Sequence, residues 1–434
     1  MQRLKFQLWF VSVALLAVWM RPAVAESPCE VGIYQGPDSD FVMLVERSKP
    51  GEFGYSFRDG RFGRPGDDKV ACVRGGISVQ QDGVSQRWPA MKLRLTPTRF
   101  RSGDVLLQGV LVEPPGTDAQ RPLVVVVHGS ENTASIRRNP YPYLFAAQGI
   151  SAFVFDKRGT GASQGTYTQN FHRLAADVVA ASVEAKRLAR GRFGRFGLFG
   201  GSQGGWVAPR AANEAHAEFV AVGFGLLINP LDEDAEQVAT ELAALGYDDA
   251  TLAQARAGAR EVTDATGELL AAHFAAGYER LAAARQRYAH EPWFGKIKGE
   301  YTGDILALDE ATLRREGRKR FDNLDIDWRY DSIGHLRAVQ APQLWVIAGA
   351  DREAPPEVTV ERLQRLRAEG RAIDIVIFPN TDHGIYEFAA EPDGERRMIR
   401  VSDGYYRLLA DWIRGSVHPP YGNAQFVAGR PAGP

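Results

Sequence analysis

Cysteine is nearly missing from this chain: its 434 residues include two, Cys29 and Cys72. Two cysteines so far apart do not make a zinc site. Net charge is nearly missing as well. Fifty-two basic residues against 53 acidic ones leave −1, which gives no reason to expect nucleic acid or another polyanion as partner. There are no tandem repeats and no low-complexity tracts. No metal-binding motif occurs, and the phosphate-loop pattern G-x-x-x-x-G-K-[ST] is absent, so neither metal nor cofactor is expected. One apolar run stands out, Phe6 to Met20, and it is short for a bilayer span, which needs roughly 20 residues.

What remains is ordinary globular composition, 44% hydrophobic and 24% charged, in a chain long enough for a large core and more than one structural unit. The apolar run follows a short basic start with Arg3 and Lys5 and precedes Ala23-Val24-Ala25, a small-x-small cleavage pattern. Residues 1–25 therefore read as a secretory signal, with a retained anchor as the alternative, and the expected location is periplasmic or secreted with no stable membrane span after cleavage. In an oxidising compartment Cys29 and Cys72 are expected to pair, closing an N-terminal loop.

Residues 26–98 read as a small β-rich accessory unit. Phe41–Val45, Tyr55–Phe57 and Ala71–Val73 suit strands, and Asp59-Gly60 and Asp82-Gly83 suit turns. The pattern then changes. Leu123–Val127 (L-V-V-V-V) and Ile150–Phe155 read as strands buried on both faces. Phe196–Phe199, Phe219–Ile228, Leu344–Ile347 and Ile373–Phe378 extend the series, with helices between them at Tyr143–Gln148, Phe171–Arg190 and Arg362–Glu369. This alternation implies an α/β fold with a doubly wound, mostly parallel sheet over 99–229 and 337–416. It is interrupted at 230–336 by alanine-rich helical sequence, expected as Asp232–Leu245, Ala250–Ala259, Glu268–His290 and Leu308–Arg320. Such an insertion is too long for a loop and reads as a helical cap. A helix is expected near Ser402–Arg414, and 417–434 reads as an irregular tail.

The chemistry centres on Gly200-Gly201-Ser202-Gln203-Gly204, a G-x-S-x-G sequence between a short apolar strand and a helical stretch. Strand, tight turn and helix make a nucleophile elbow. A serine hydroxyl needs a base, an orienter for the base and donors for the oxyanion. Gly349-Ala350-Asp351 follows one strand and Asp382-His383-Gly384 follows the last, so the order Ser202, Asp351, His383 provides nucleophile, orienter and base. Asp382, Asp325, Asp327 and Asp331 are alternatives for the orienter. The oxyanion donors are expected from the backbone N–H groups of Gln203 and of Ser130, in His128-Gly129-Ser130 after the L-V-V-V-V strand. His128 itself is expected to stabilise the turn. Asp156-Lys157-Arg158-Gly159-Thr160-Gly161-Ala162-Ser163 reads as a loop supporting the floor of the site.

H-G-S, D-K-R-G-T-G-A-S, G-G-S-Q-G-G-W, G-A-D and D-H-G, in this order, resemble the α/β-hydrolase superfamily, and within it bacterial acyl esterases and the serine-aminopeptidase-like branch. The resemblance covers about 100–228 and 337–416. It implies Ser202, Asp351 and His383 as triad and the Gln203 and Ser130 amides as oxyanion hole. The expected activity is hydrolysis of a small-molecule carboxylic ester. A peptidase or amidase acting on short peptides is the alternative, and it would need a cap carboxylate to hold the substrate's amine. A thioesterase ranks below both, as does a non-catalytic binding protein on the same scaffold. Neither oligomeric state nor physiological substrate is read from the sequence.

Overall fold

The computed structural model describes residues 29–392 and 394–428. The expected signal at 1–25 lies outside them. Among the described residues nine strands form the central sheet. In chain order they are β1 (Arg94–Ser102), β2 (Val105–Glu113), β3 (Leu123–Val127), β4 (Ser151–Phe155), β5 (Phe196–Gly201), β6 (Phe219–Gly223), β7 (Gln343–Ala348), β8 (Ile373–Phe378) and β9 (Gln425–Phe426). Their spatial order is β1-β2-β4-β3-β5-β6-β7-β8-β9. From β4 to β8 every pairing is parallel. The flanking strands β2, β1 and β9 pair antiparallel.

The sheet is buried because helices cover both faces, which is why its central strands are continuous apolar runs. On one face lie α1 (Tyr141–Ala147) and α11 (Tyr405–Arg414), packing Phe145, Leu409 and Trp412 against Val124, Val126 and Phe199. On the other lie α2 (Phe171–Leu188), α3 (Gly204–Ala212) and α10 (Pro356–Ala368), packing Val178, Val207 and Leu363 against the alternate strand residues. Strand order reverses beside β3, whose neighbours are β4 and β5. The carboxyl ends of strands at such a reversal open a crevice for ligands, and here they carry His128 and Ser202.

Two features differ from the expected segmentation. β1 begins at Arg94, so the division expected after residue 98 falls inside a strand of the main sheet. The tail is not wholly irregular, because Gln425 and Phe426 pair with Ile377 and Val376 at the edge of β8. A β-hairpin that the sequence reading left out, Tyr386–Ala390 with Arg396–Val401, stands between His383 and α11.

The N-terminal segment forms a four-stranded and a three-stranded sheet. Strand Phe41–Glu46 shows why its apolar run does not alternate. Phe41 and Met43 pack into the main core, whereas Val42 and Leu44 face a separate cluster with Tyr55, Ile77 and Trp88. The unit is therefore clamped onto the main core by one whole strand face. Cys29 and Cys72 form a disulfide with Cα atoms 5.2 Å apart, joining the start of this unit to its second sheet. Asp82 and Gly83, both at positive φ, make the two-residue turn between Gly76–Gln81 and Val84–Pro89.

The inserted segment is helical: α4 (Pro230–Ala243), α5 (Asp249–Ala271), α6 (Tyr278–Tyr288), α7 (Thr302–Leu306) and α8 (Glu310–Phe321). They enclose a core of their own around Val262, Leu269, Trp293 and Trp328. The sequence reading broke the middle into 250–259 and 268–290, but α5 is continuous. Its Val262, Ala265 and Gly267 are buried, and Gly258 gives room to the Trp293 ring. The break falls later, where His273, Phe274 and Gly277 take positive φ. α9 (Ser332–Ala338) leads back and buries Leu336 in the main core. Among the described residues no helix is long and apolar enough to cross a membrane.

Candidate active site

β5 ends in a turn whose geometry depends on small residues. Ser202 sits at φ +52°, a strained conformation for a residue with a side chain. A Cβ on Gly200 would lie 2.4 Å from the Gly204 carbonyl oxygen, so the turn closes only with glycine there. Backbone bonds hold it: Ser202 N–H donates to Gly223 O at 3.1 Å, and Gly205 N–H donates to Ser202 O at 2.7 Å. The hydroxyl is thereby presented at the end of the sheet rather than within it.

His383 Nε2 lies 3.0 Å from Ser202 Oγ, and His383 Nδ1 lies 2.9 Å from Asp351 Oδ2. The loops after β5, β7 and β8 thus bring the three side chains into one hydrogen-bonded line. Asp351 is held in turn, its Oδ1 accepting from the N–H groups of Glu353 at 3.0 Å and Ala354 at 2.8 Å. The Phe224 ring packs edge-on against the imidazole, 5.0 Å between centroids. Burial alone pulls the imidazole's pKa down, but Asp351, Glu353 and Asp382 outweigh it and lift His383 to about 9.

The other aspartates are engaged elsewhere. Asp382 accepts from the backbone N–H of His383 at 3.0 Å and pairs with Arg396 at 2.8 Å. Asp325 faces Arg173, Asp327 faces His172, and Asp331 caps α9 by accepting from Gly334 N–H.

The segment after β3 runs beside the serine: a Cβ on Gly129 would lie 3.6 Å from Ser202 Cβ. Its carbonyls are tied back, Gly129 O by Lys157 Nζ at 2.8 Å and Ser130 O by the Tyr167 hydroxyl. A trans peptide points its N–H opposite to its C=O, so anchoring Gly129 O turns the Ser130 N–H away from Lys157. Among the described residues neither the Ser130 nor the Gln203 N–H has an acceptor. Burial brings Lys157 down to about 8, against the pull of Glu131 upward. His128 is buried, its Nε2 lies 2.7 Å from Phe155 O, and burial lowers it to about 3; it is a neutral turn-holding group. The loop at 156–163 supports the same segment, since Asp156 Oδ1 accepts from Ser135 N–H at 2.7 Å and Ile136 N–H at 3.0 Å.

A cavity of about 460 Å³ opens beside Ser202 and His383, walled by Tyr141, Phe199, Phe224 and Pro140, with Arg138 and Glu131 also lining it. The N-terminal unit grips one wall. Glu46 pairs with Arg137 at 2.7 Å, and Arg138 donates to Ser48 O at 3.2 Å. A second, small cavity of about 30 Å³ lies between Ser202 and the cap, bordered by Glu233, Glu300, Tyr301 and Gln203. The sequence reading missed Lys157, Tyr167, Glu353, Glu233 and Glu300 as site residues. Glu353 lies two positions beyond Asp351 and was within reach of a local search; the cap glutamates carry no local signal.

The chain shares 32% identity over 119 residues with the quorum-quenching protein AidA of Acinetobacter baumannii (strain MDR-ZJ06), a stretch covering 27% of this chain and 39% of that one. It therefore spans well under half the length of that curated relative. Among solved structures, an esterase of Pyrococcus furiosus aligns with a TM-score of 0.41 at 15% identity, covering 68% of this chain and 84% of the esterase. An acylaminoacyl peptidase of Pyrococcus horikoshii aligns with a TM-score of 0.42 at 15% identity, covering 80% of this chain and 50% of the peptidase. The family model described as the alpha/beta hydrolase family matches residues 124–394, from the strand before His128 to the hairpin after His383, and the chain belongs to that family.

Proposed function

We propose that this chain is an exported serine hydrolase that cleaves carboxylic esters through an acyl-enzyme. The observation that carries the reading is the line from Ser202 Oγ through His383 to Asp351, with contacts of 3.0 and 2.9 Å, at the wall of a cavity large enough for a small organic molecule.

In this mechanism Ser202 Oγ bonds to the ester carbonyl carbon while His383 Nε2 takes the hydroxyl proton. Asp351 holds Nδ1–H and so keeps Nε2 free to accept. The carbonyl oxygen becomes an oxyanion facing the N–H groups of Gln203 and Ser130. Collapse breaks the bond to the alcohol, which leaves with the proton from Nε2. Water then gives a proton to Nε2 as its oxygen bonds to the acyl carbon. Ser202 Oγ departs and regains the proton, and the acid is released. The same steps on an amide would expel an amine.

A fluorophosphonate probe tests the reading. Labelling of folded protein that disappears in Ser202→Ala is the expected result. No labelling, or labelling that persists in the variant, overturns it. Export is supported by the basic start, the Phe6–Met20 apolar run, Ala23-Val24-Ala25 and the Cys29–Cys72 disulfide. Sequencing of the mature N-terminus is expected to begin at Glu26; a chain retained in the cytoplasm with Met1 in place overturns it.

A further inference from the structure

The loops that present Asp351 and His383 share a support that belongs to neither. Arg396 comes from the second strand of the hairpin at 386–401. Its Nη1 donates to Ala350 O at 2.6 Å and lies 2.8 Å from Asp382 Oδ2. Ala350 immediately precedes Asp351, and Asp382 immediately precedes His383. One nitrogen therefore stands between the residues that lead into the two groups whose 2.9 Å contact orients the imidazole.

The bridge is reciprocal. Asp382 uses its other oxygen, Oδ1, to accept from the N–H groups of Arg352 at 3.1 Å and His383 at 3.0 Å, so the carboxylate also joins both loops. Arg352 returns to the hairpin, its Nη1 donating to Gly394 O at 2.9 Å. The hairpin itself is braced on the N-terminal unit, where Val401 N–H donates to Gly60 O at 3.0 Å. The Phe388 ring lies against the Arg396 guanidinium, 3.9 Å from its carbon to the ring centroid. Arg396 Nε is buried without an acceptor. The placement leaves that donor unmet while both contacts of Nη1 are made, which favours a role for the position of Nη1 itself.

Charge points the same way. The acids that act on His383 are Asp351, Glu353 and Asp382, with Glu300 from the cap. Among the described residues Asp382 is the member of this set paired with an arginine. Arg396 thus offsets one of the negative charges that favour the protonated imidazole. Resting on the serine-hydrolase reading above, we propose that Arg396 is a positioning residue: it sets the spacing of Asp351 and His383 by bridging Ala350 and Asp382, and it covers the Asp382 charge beside the base.

The test follows ester hydrolysis against pH in Arg396→Met, Arg396→Lys and Asp382→Asn. Arg397→Met is the control on the same hairpin, since Arg397 is exposed and pairs with Glu391 at 2.7 Å. In Arg396→Met kcat should fall by up to about 10²-fold with KM little changed, the cost of a misplacement of about 1 Å. The uncovered Asp382 carboxylate should also move the rising limb of kcat/KM to higher pH. Arg396→Lys should restore the limb and part of kcat, because it keeps the charge without the planar fork. Asp382→Asn keeps an oxygen for the two N–H groups but loses the charge, so its limb should move to lower pH. Unchanged kcat and limb in Arg396→Met overturn the proposal. So does an equal loss in Arg397→Met, or a limb that moves the same way in Arg396→Met and Asp382→Asn. If Arg396→Met does not fold, the opposite shifts of Arg396→Lys relative to Asp382→Asn decide, and identical limbs in those two overturn it. A wild type that is labelled by fluorophosphonate and active, with unresponsive variants, overturns the positioning role alone. No turnover and no labelling of wild type overturn the hydrolase reading and this role with it.

Discussion

Every side chain of β3, Leu123 to Val127, is buried and apolar, and polar groups appear only where the strand ends at His128. In the cap, by contrast, Glu233 and Asp234 are buried near the start of α4. The sheet carries polar residues at its rim, where loops place Ser202, Asp351 and His383. The cap puts carboxylates into its interior, and a segment more than sixty residues away holds Asp234. A parallel sheet can be wholly apolar because its ladder satisfies the backbone internally. The cap joins its helices by turns whose N–H groups need acceptors, and the buried carboxylate of Asp234 satisfies those of Tyr301 and Thr302.

The sharpest way to break this comparison is to disable the rim. Ser202→Ala and Asp351→Asn should each fold, the first lowering kcat about 10⁶-fold and the second about 10⁴-fold, read by ester hydrolysis beside thermal melting. Unchanged turnover in Asp351→Asn would move the orienting role elsewhere.

The N-terminal unit tests whether stability and chemistry are separable. Its disulfide closes a separation of 43 residues, for which the loop-entropy argument gives about 4 kcal/mol. Replacing both cysteines by serine should lower unfolding free energy by up to that amount in chemical denaturation while changing kcat little.

Within the cap, Asp234→Asn should loosen the 299–302 segment. It removes charge from three hydrogen bonds, including that of the Thr302 hydroxyl, and should cost about 1–3 kcal/mol. Faster amide hydrogen exchange at Tyr301 and Thr302, with exchange in β3 unaltered, is the expected signature.

The smallest effect concerns the seam. Glu353 Oε1 lies 3.5 Å from His383 Nε2 and contributes to lifting the imidazole to about 9. As the proposed base, His383 acts only when neutral, so kcat/KM should rise with pH toward about 9. Glu353→Gln should move that limb to lower pH. The proton is also linked to folding. His383 binds it more tightly folded than unfolded, so its contribution to stability is complete below about pH 6.5 and is lost as pH rises through about 9. Denaturation at several pH values checks that sign.

Much of the site was legible because its signals are local. Ser202 lies in a strand, turn and helix that fit within a dozen residues, and Asp351 and His383 each follow an apolar strand directly. The sheet's own runs, β3 above all, could hardly be anything else. The hairpin at 386–401 was missed because its strands are half exposed and charged, as in Arg396-Arg397. The continuity of α5 through 260–267 was missed because Val262, Thr263, Thr266 and Gly267 are weak helix formers, and their burial is visible only in the fold.

Short-range patterning was thus enough to settle the class of fold and to single out the nucleophile, base and orienter as candidates. Backbone geometry alone puts strand ends on one face, and that relation survives in the linear chain. Tertiary structure alone decided that Phe41 and Met43 join the main core, that Lys157 and Tyr167 tie back the Gly129-Ser130 carbonyls, and that Glu233 and Glu300 meet beside Ser202. Glutamates are common in this chain, and nothing near Glu233 or Glu300 marks either one. Glu233 becomes buried only once the cap closes over the sheet.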